Sequence, residues 1–168
     1  NLLAWNWQSI PDGSNAISVQ DLFDTSALQQ YQSLYLADRL MLWDRAQQRY
    51  KVLWLYGNDA YPSWDGKWID ERGDIATNQI TRGEAFWYQR IGVATSVTLT
   101  GVVPEDASFT HAPFRTNGAR YNLFGSAYAA DFVFNSSNDT LRLTGRQGWD
   151  FSTSDNVLLW DASLQRYK

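Results

Sequence analysis

Short stretches of the chain alternate apolar and polar side chains with a period of two, the spacing that turns one face of a β-strand to a core and the other to solvent. Residues 39–43 and 49–55 read as strands by composition, rich in Leu, Trp, Tyr and Val, and the polar run Asp44-Arg45-Ala46-Gln47-Gln48 between them suits a hairpin loop. Asp44 is placed to fold its carboxylate onto the N–H groups that follow, as an Asx turn does. Two further strands are expected, at 85–90 after an Arg82-Gly83 turn and at 96–103, where Val97 and Leu99 alternate with Thr98 and Thr100. The exception is 19–36, where Leu22, Phe23, Leu28, Tyr31, Leu34 and Tyr35 are spaced for one or two short helices with Ser18 as N-cap. The pattern predicts an all-β chain of mainly antiparallel β-sandwich or barrel-like units, with one or two short helices near residues 19–36.

The hairpin occurs twice. Residues 38–51 return as 155–168 at an offset of 117, with eight of fourteen aligned positions identical: Asp38, Leu42, Trp43, Asp44, Gln48, Arg49, Tyr50 and Lys51. A weaker echo, Asn1-Leu2-Leu3-Ala4 against Asn122-Leu123-Phe124-Gly125, marks where each copy starts. The chain therefore reads as a repeat unit over 1–103, a connector over 104–121 containing Pro104 and Pro113, and the first half of a second unit over 122–168. Within the second copy, 131–145 reads as two strands around Asn135-Ser136-Ser137-Asn138 rather than as helix. No counterpart of 83–88 or 96–103 follows the second hairpin. Its half-core is expected to be completed by further residues or by strands of a neighbouring subunit.

The order of elements is an opening Asn1-Leu2 strand, a Trp-Asp hairpin at 38–50, a Gly-aromatic strand at 83–88 and a Thr98-Leu99-Thr100-Gly101 strand. It resembles the tandem β-sandwich-like repeat modules of large secreted and cell-surface proteins of planctomycete and verrucomicrobial-type bacteria. The resemblance spans nearly all of the first copy and the first half of the second. It implies a non-catalytic building block of an exported protein.

Composition narrows the functional classes. Eighteen acidic and fourteen basic residues give a net charge of −4 without long runs of one sign, which argues against a nucleic-acid partner. No apolar stretch approaches the roughly 20 residues that span a bilayer as a helix, so membrane insertion is not expected. Cysteine is absent, and His111, in the connector, is the single histidine, with no serine elbow beside it. It reads as a surface-loop residue. Glu71, Glu84 and Glu105 are the only glutamates, and sequence does not pair them as a glycosidase would require. Asp44 and Asp161 recur in both copies, which favours a turn role over a catalytic one. Asp65, Asp70, Glu71 and Asp74, and the loop 150–155, are the best calcium candidates, but neither follows EF-hand spacing and both read as solvated loops. No enzyme activity and no cofactor are assigned.

Nine Trp and nine Tyr are the compositional excess, alongside only 19% charged residues. Trp43, Asp44 and Tyr50 in one copy, and Trp160, Asp161 and Tyr167 in the other, form the repeated structural motif, with both Trp residues expected in cores. Trp5, Trp7, Trp54, Trp64 and Trp68 have no counterpart in the chain. Trp64 and Trp68, flanked by Pro62-Ser63 and Asp65-Gly66-Lys67, are expected to be exposed and, with Trp5 and Trp7, to serve an interface or stack on a glycan. The sequence thus predicts a non-enzymatic extracellular or cell-surface structural protein that self-assembles as a homo-oligomer or polymer, joined by strand exchange. The alternative is a carbohydrate-binding or adhesive module.

Overall fold

A computed structural model describes residues 2–6, 8, 14–58, 60–105, 121–126, 150, 154 and 156–168. Among them are nine strands: β1 (Leu2–Ala4), β2 (Ala16–Ser18), β3 (Arg39–Asp44), β4 (Arg49–Leu55), β5 (Trp68–Ile69), β6 (Gln79–Thr81), β7 (Ala85–Gln89), β8 (Trp160–Asp161) and β9 (Arg166–Tyr167). The chain divides into two compact units, 1–129 and 130–168. Trp7, His111, Pro113, Asp155 and the stretch 131–145 lie outside the described residues.

In the first unit, β1, β7, β3, β4 and β5 form an open antiparallel sheet in that order, with β1 and β5 at the edges. Register follows the alternation in the sequence. Leu40 lies opposite Leu53 and Tyr88, and Leu3 lies opposite Phe86, so these side chains share one face. There are two single-turn 3-10 helices, Val19–Asp21 and Thr25–Ala27; the ribbon of β2 and β6, Val19 of the first turn, and Leu22, Phe23 and Leu28 beside the turns contribute the other wall of the core, while the second turn itself buries no residue. Trp5, Ile17, Val19, Leu22, Phe23, Leu40, Leu53, Leu55, Trp68, Ile80 and Phe86 are buried there, and Phe23 packs edge-on against Phe86. The protein is therefore mainly antiparallel β with short helical turns near 19–36, and the sheet does not close into a barrel.

Ser18 caps the first helical turn, its hydroxyl accepting from Gln20 N at 3.2 Å. Neither turn grows into an α-helix. Asp24 caps the second turn, starting a new bonding pattern where a longer helix would have to continue.

One expected strand is absent. Residues 96–103 show the alternation that suggested it, with Val97 and Leu99 half-buried on the core and Ser96, Thr98 and Thr100 exposed. Among the described residues their backbone joins a partner only at Val102, which exchanges bonds of 2.9 and 3.0 Å with Gln8. Side-chain burial supplies the period of two, but a strand also needs a ladder, and that depends on which backbone lies alongside. In the second unit, described strands β8 and β9 form a two-stranded hairpin.

Candidate functional site

The two hairpins agree in detail. Trp43 pairs with Tyr50 across β3 and β4, their rings edge-on at 4.9 Å, and Trp160 pairs with Tyr167 across β8 and β9 at 5.3 Å. Asp44 Oδ1 accepts from Ala46 N and Gln47 N at 2.9 and 3.0 Å, and Asp161 Oδ1 accepts from Ser163 N and Leu164 N at 3.0 and 3.1 Å. Lys51 Nζ sits 3.1 Å from the Asp44 carboxylate, and Lys168 makes the same ion pair with Asp161. These bonds hold both carboxyls below their ordinary value. For Asp44 the leading cause is the Gln47 N–H, followed by Lys51, and for Asp161, lowered to about 2, it is the bond from Lys168. Gln48 and Gln165 end the turns at φ 53° and 50°, and each donates its side-chain amide back into its turn, to Arg45 O at 2.9 Å and to Ala162 O at 2.6 Å.

In the first unit this hairpin holds a passing segment. Tyr121 N donates to Gln48 Oε1 at 2.7 Å, while Gln48 Nε2 and Trp43 Nε1 donate to Tyr121 O at 3.1 and 3.0 Å. A primary amide offers one donor and one acceptor side by side, as a peptide group does, so Gln48 acts as a one-residue strand partner. Downstream, Leu123 lines a pocket with Leu42, Ala85 and Phe86, and Gly125 N donates to Gly83 O at 2.8 Å. Gly125 passes so close to Ala4 that a Cβ there would stand 2.3 Å from the Ala4 Cβ. Trp43 is half-buried, so its role is divided between packing on Tyr50 and holding Tyr121. Nothing in the sequence reading found this clasp, although the repeated Gln48 and Gln165 carried the signal.

The fold uses the same device on an edge strand. Gln20 Oε1 accepts from Trp68 N at 3.1 Å, and its Nε2 donates to Trp68 O and Ala76 O at 2.8 and 2.9 Å. Trp68, expected at the surface, is fully buried beneath this clasp and belongs to the core. Trp5 is likewise fully buried, on the same face as Leu3 two residues before it. Neither is an exposed interface or glycan contact. Trp7 falls outside the described residues.

Trp64 is 36% exposed and stands edge-on against Tyr56 at 5.9 Å, with the exposed Tyr61 ring 6.5 Å away. The loop that carries them is built by short backbone bonds. Tyr61 N donates to Asn58 O, Trp64 N to Tyr61 O, and Gly66 N to Tyr56 O, with Gly66 at φ 70° in the left-handed region that favours glycine. Asp65 Oδ1 accepts from Asn58 N at 2.5 Å. Beside this loop a groove of about 400 Å³ is lined by Gln30, Gln32, Gly57, Asn58 and Asp65.

Of the acidic residues weighed as calcium ligands, Asp65 and Asp70 brace their own loops. Asp70 Oδ1 accepts from Arg72 N and Asp74 N at 2.9 and 3.1 Å, and among the described residues no three acidic or histidine side chains converge on one point. Among the described residues the most heavily bonded carboxylate is Asp38, which is fully buried. Its Oδ2 accepts from Tyr88 Oη at 2.7 Å, Arg90 Nη1 at 2.5 Å and Gln29 N at 3.1 Å, and its Oδ1 from Ile91 N at 2.8 Å. Burial pushes the carboxyl up, but these bonds more than offset it and hold it below its ordinary value; burial and the Asp38 bond push Tyr88 up. With both oxygens engaged and no exposure to solvent, Asp38 ties the start of β3 to the segment that leads into β3 and to the segment that follows β7. Comparison with protein-family models, curated proteins and solved structures finds no match to the chain.

Proposed function

We propose that the protein is a non-enzymatic structural module that self-assembles through its second hairpin. The observation that carries this is the contrast between matching positions. Leu40 is fully buried and Leu42 half-buried in the first unit, whereas their counterparts Val157 and Leu159 are 48% and 52% exposed, and Leu158 beside them is 40% exposed. In the first unit, β7 pairs along β3 from Arg39 to Leu42, and Leu40 and Leu42 face the core. The equivalent edge before Trp160 is suited to receive a strand from another molecule, the mode by which β-augmentation joins subunits. The excess of Trp, Tyr, Asn, Ser and Thr over charged residues supports an extracellular or cell-surface setting.

Sedimentation velocity and electron microscopy of the whole chain test this. Concentration-dependent oligomers or filaments that are weakened by Leu159→Lys are expected. A folded chain that stays monomeric at every accessible concentration overturns the reading.

A second reading is favoured by the aromatic loop. Trp64 and Tyr61 offer exposed ring faces next to a groove lined by amides and a carboxylate, the pairing of apolar stacking and polar contacts that suits a sugar. Glycan binding that Trp64→Ala abolishes supports it, and no binding across a broad glycan array counts against it.

A further inference from the structure

We infer that the groove beside the aromatic loop takes an uncharged sugar unit through its hydroxyl groups, and that Asp65 and Gln30 set that preference. The inference rests on the glycan reading above and deepens it, naming the class of sugar and the residues that select it.

The groove lies between two segments that the fold brings together. Tyr31 N donates to Leu55 O at 3.1 Å, and a Cβ on Gly57 would stand 2.6 Å from the Gln30 Cβ, so residues 30–32 run hard against the end of β4. A residue without a side chain permits that approach. On the other side, Gly66 N donates to Tyr56 O and Asp65 Oδ1 accepts from Asn58 N, which fixes the loop that follows β4. The groove is thus built before any ligand arrives, as small-molecule sites usually are.

Its polar groups divide into engaged and open ones. The Asn58 side chain is taken up by the loop, its Nδ2 donating to Tyr56 Oη at 3.1 Å and its Oδ1 accepting from Ala60 N at 2.9 Å. Gln30 Nε2 donates to Thr25 O at 3.2 Å. Among the described residues nothing donates to Asp65 Oδ2 or to Gln30 Oε1, and neither atom is closed off from solvent. The two are neighbours in space, since a Cβ on Gly66, the residue after Asp65, would stand 4.0 Å from Gln30 Oε1. No Lys, Arg or His is among the described residues that line the groove.

Open acceptors call for donors. Two hydroxyls on adjacent carbons of a sugar can donate to Asp65 and Gln30 together, while the apolar face of its ring lies on Tyr61 and Trp64 beside the groove. A uronic or sialic acid would instead bring a second carboxylate to Asp65 with no cation to neutralise it. An ammonium ligand would also suit a carboxylate, but such cations are held over ring faces, and the described lining of the groove contains no aromatic residue.

A glycan array and isothermal titration of the whole chain test this. Neutral oligosaccharides should bind, and the tightest of them, oxidised to a uronic acid at C6, should bind about tenfold or more weakly. Asp65→Asn keeps an oxygen to accept from Asn58 N but exchanges the charged acceptor for an NH2 donor. It should weaken neutral binding about tenfold or more and erase the difference from the oxidised sugar. Circular dichroism shows whether the variant is folded; if it is not, the wild-type comparison of neutral and oxidised sugar decides alone. In isotopically labelled chain, the neutral sugar should shift backbone amides of residues 30–32 and 57–66. Shifts confined elsewhere, equal or tighter binding of the oxidised sugar, or neutral binding unmoved in folded Asp65→Asn each overturn the inference. If Trp64→Ala still abolishes binding in those cases, the glycan reading stands without it. No binding across the array overturns both.

Discussion

Asp38 concentrates more of the first unit's polar bonding than any other described side chain, and its removal should be felt accordingly. Truncation to Ala removes the carboxylate that accepts from Arg90, Tyr88 and the N–H groups of Gln29 and Ile91. Breaking a buried, hydrogen-bonded charge pair from one side costs about 3–5 kcal/mol, so Asp38→Ala should lower the urea midpoint by that much stability. The sign of the pH dependence follows from the lowered carboxyl. Its contribution is fully present above the ordinary value of 3.8 and is lost as pH falls through the folded value below it. Stability should fall on acidification below about pH 4, and Asp38→Asn should flatten that part of the curve. An unchanged acid limb in Asp38→Asn would show that other carboxylates govern it. At the same scale, Trp68→Ala should cost about 3–5 kcal/mol as a core truncation, whereas Trp64→Ala should leave the thermal midpoint nearly unchanged. These two tryptophans sit in similar sequence surroundings, Pro62-Ser63-Trp64-Asp65-Gly66-Lys67-Trp68, and neighbours alone do not separate them. What buries Trp68 is pairing with Leu55 and the bonds from Gln20, 48 residues away. Long-range partners of this kind leave no local trace.

At the level of elements, glutamine side chains stand in for strands. Gln20 closes the β5 edge at Trp68 and Ala76, and Gln48 does so for Tyr121. Gln20→Ala should therefore cost about 1–3 kcal/mol from the groups it leaves unpaired. It should also speed hydrogen exchange at the Trp68 amide, while the β3–β4 ladder exchanges as before. A uniform change across the sheet would mean that β5 and the hairpin unfold together. The hairpins were the most legible elements, because their turn chemistry is local: Asp44 accepts from residues two and three positions on, and Asp161 repeats it. The helical turns were legible at their start through Ser18, and their brevity was set by Asp24 capping again six residues later. Residues 96–103 mark the opposite case. Their alternation reports which side chains meet the core, and it cannot report that the backbone of 96–101 has no ladder partner among the described residues. The same limit hid β2, β5 and β6, strands of two or three residues whose identity comes from their partners.

For the whole molecule, the proposed assembly raises the question of which force would bring copies together. The chain carries a net charge of −4, so like copies repel at long range, and this repulsion opposes assembly whatever contact is used. The groups that the proposed joining surface offers are Val157, Leu158 and Leu159. Burial of apolar side chains and backbone bonding are weakened little by salt, whereas the opposing repulsion is screened as the Debye length shrinks from about 30 Å at 0.01 M to about 8 Å at physiological ionic strength. Raising salt over that range should therefore strengthen self-association, read as a rise in weight-average sedimentation coefficient at fixed protein concentration. The exposed ion pair between Lys168 and Asp161 lies inside one hairpin and should not reverse this trend, because surface pairs contribute little. Association that weakens as salt rises would instead point to complementary charged patches and overturn the hairpin as the proposed joining surface.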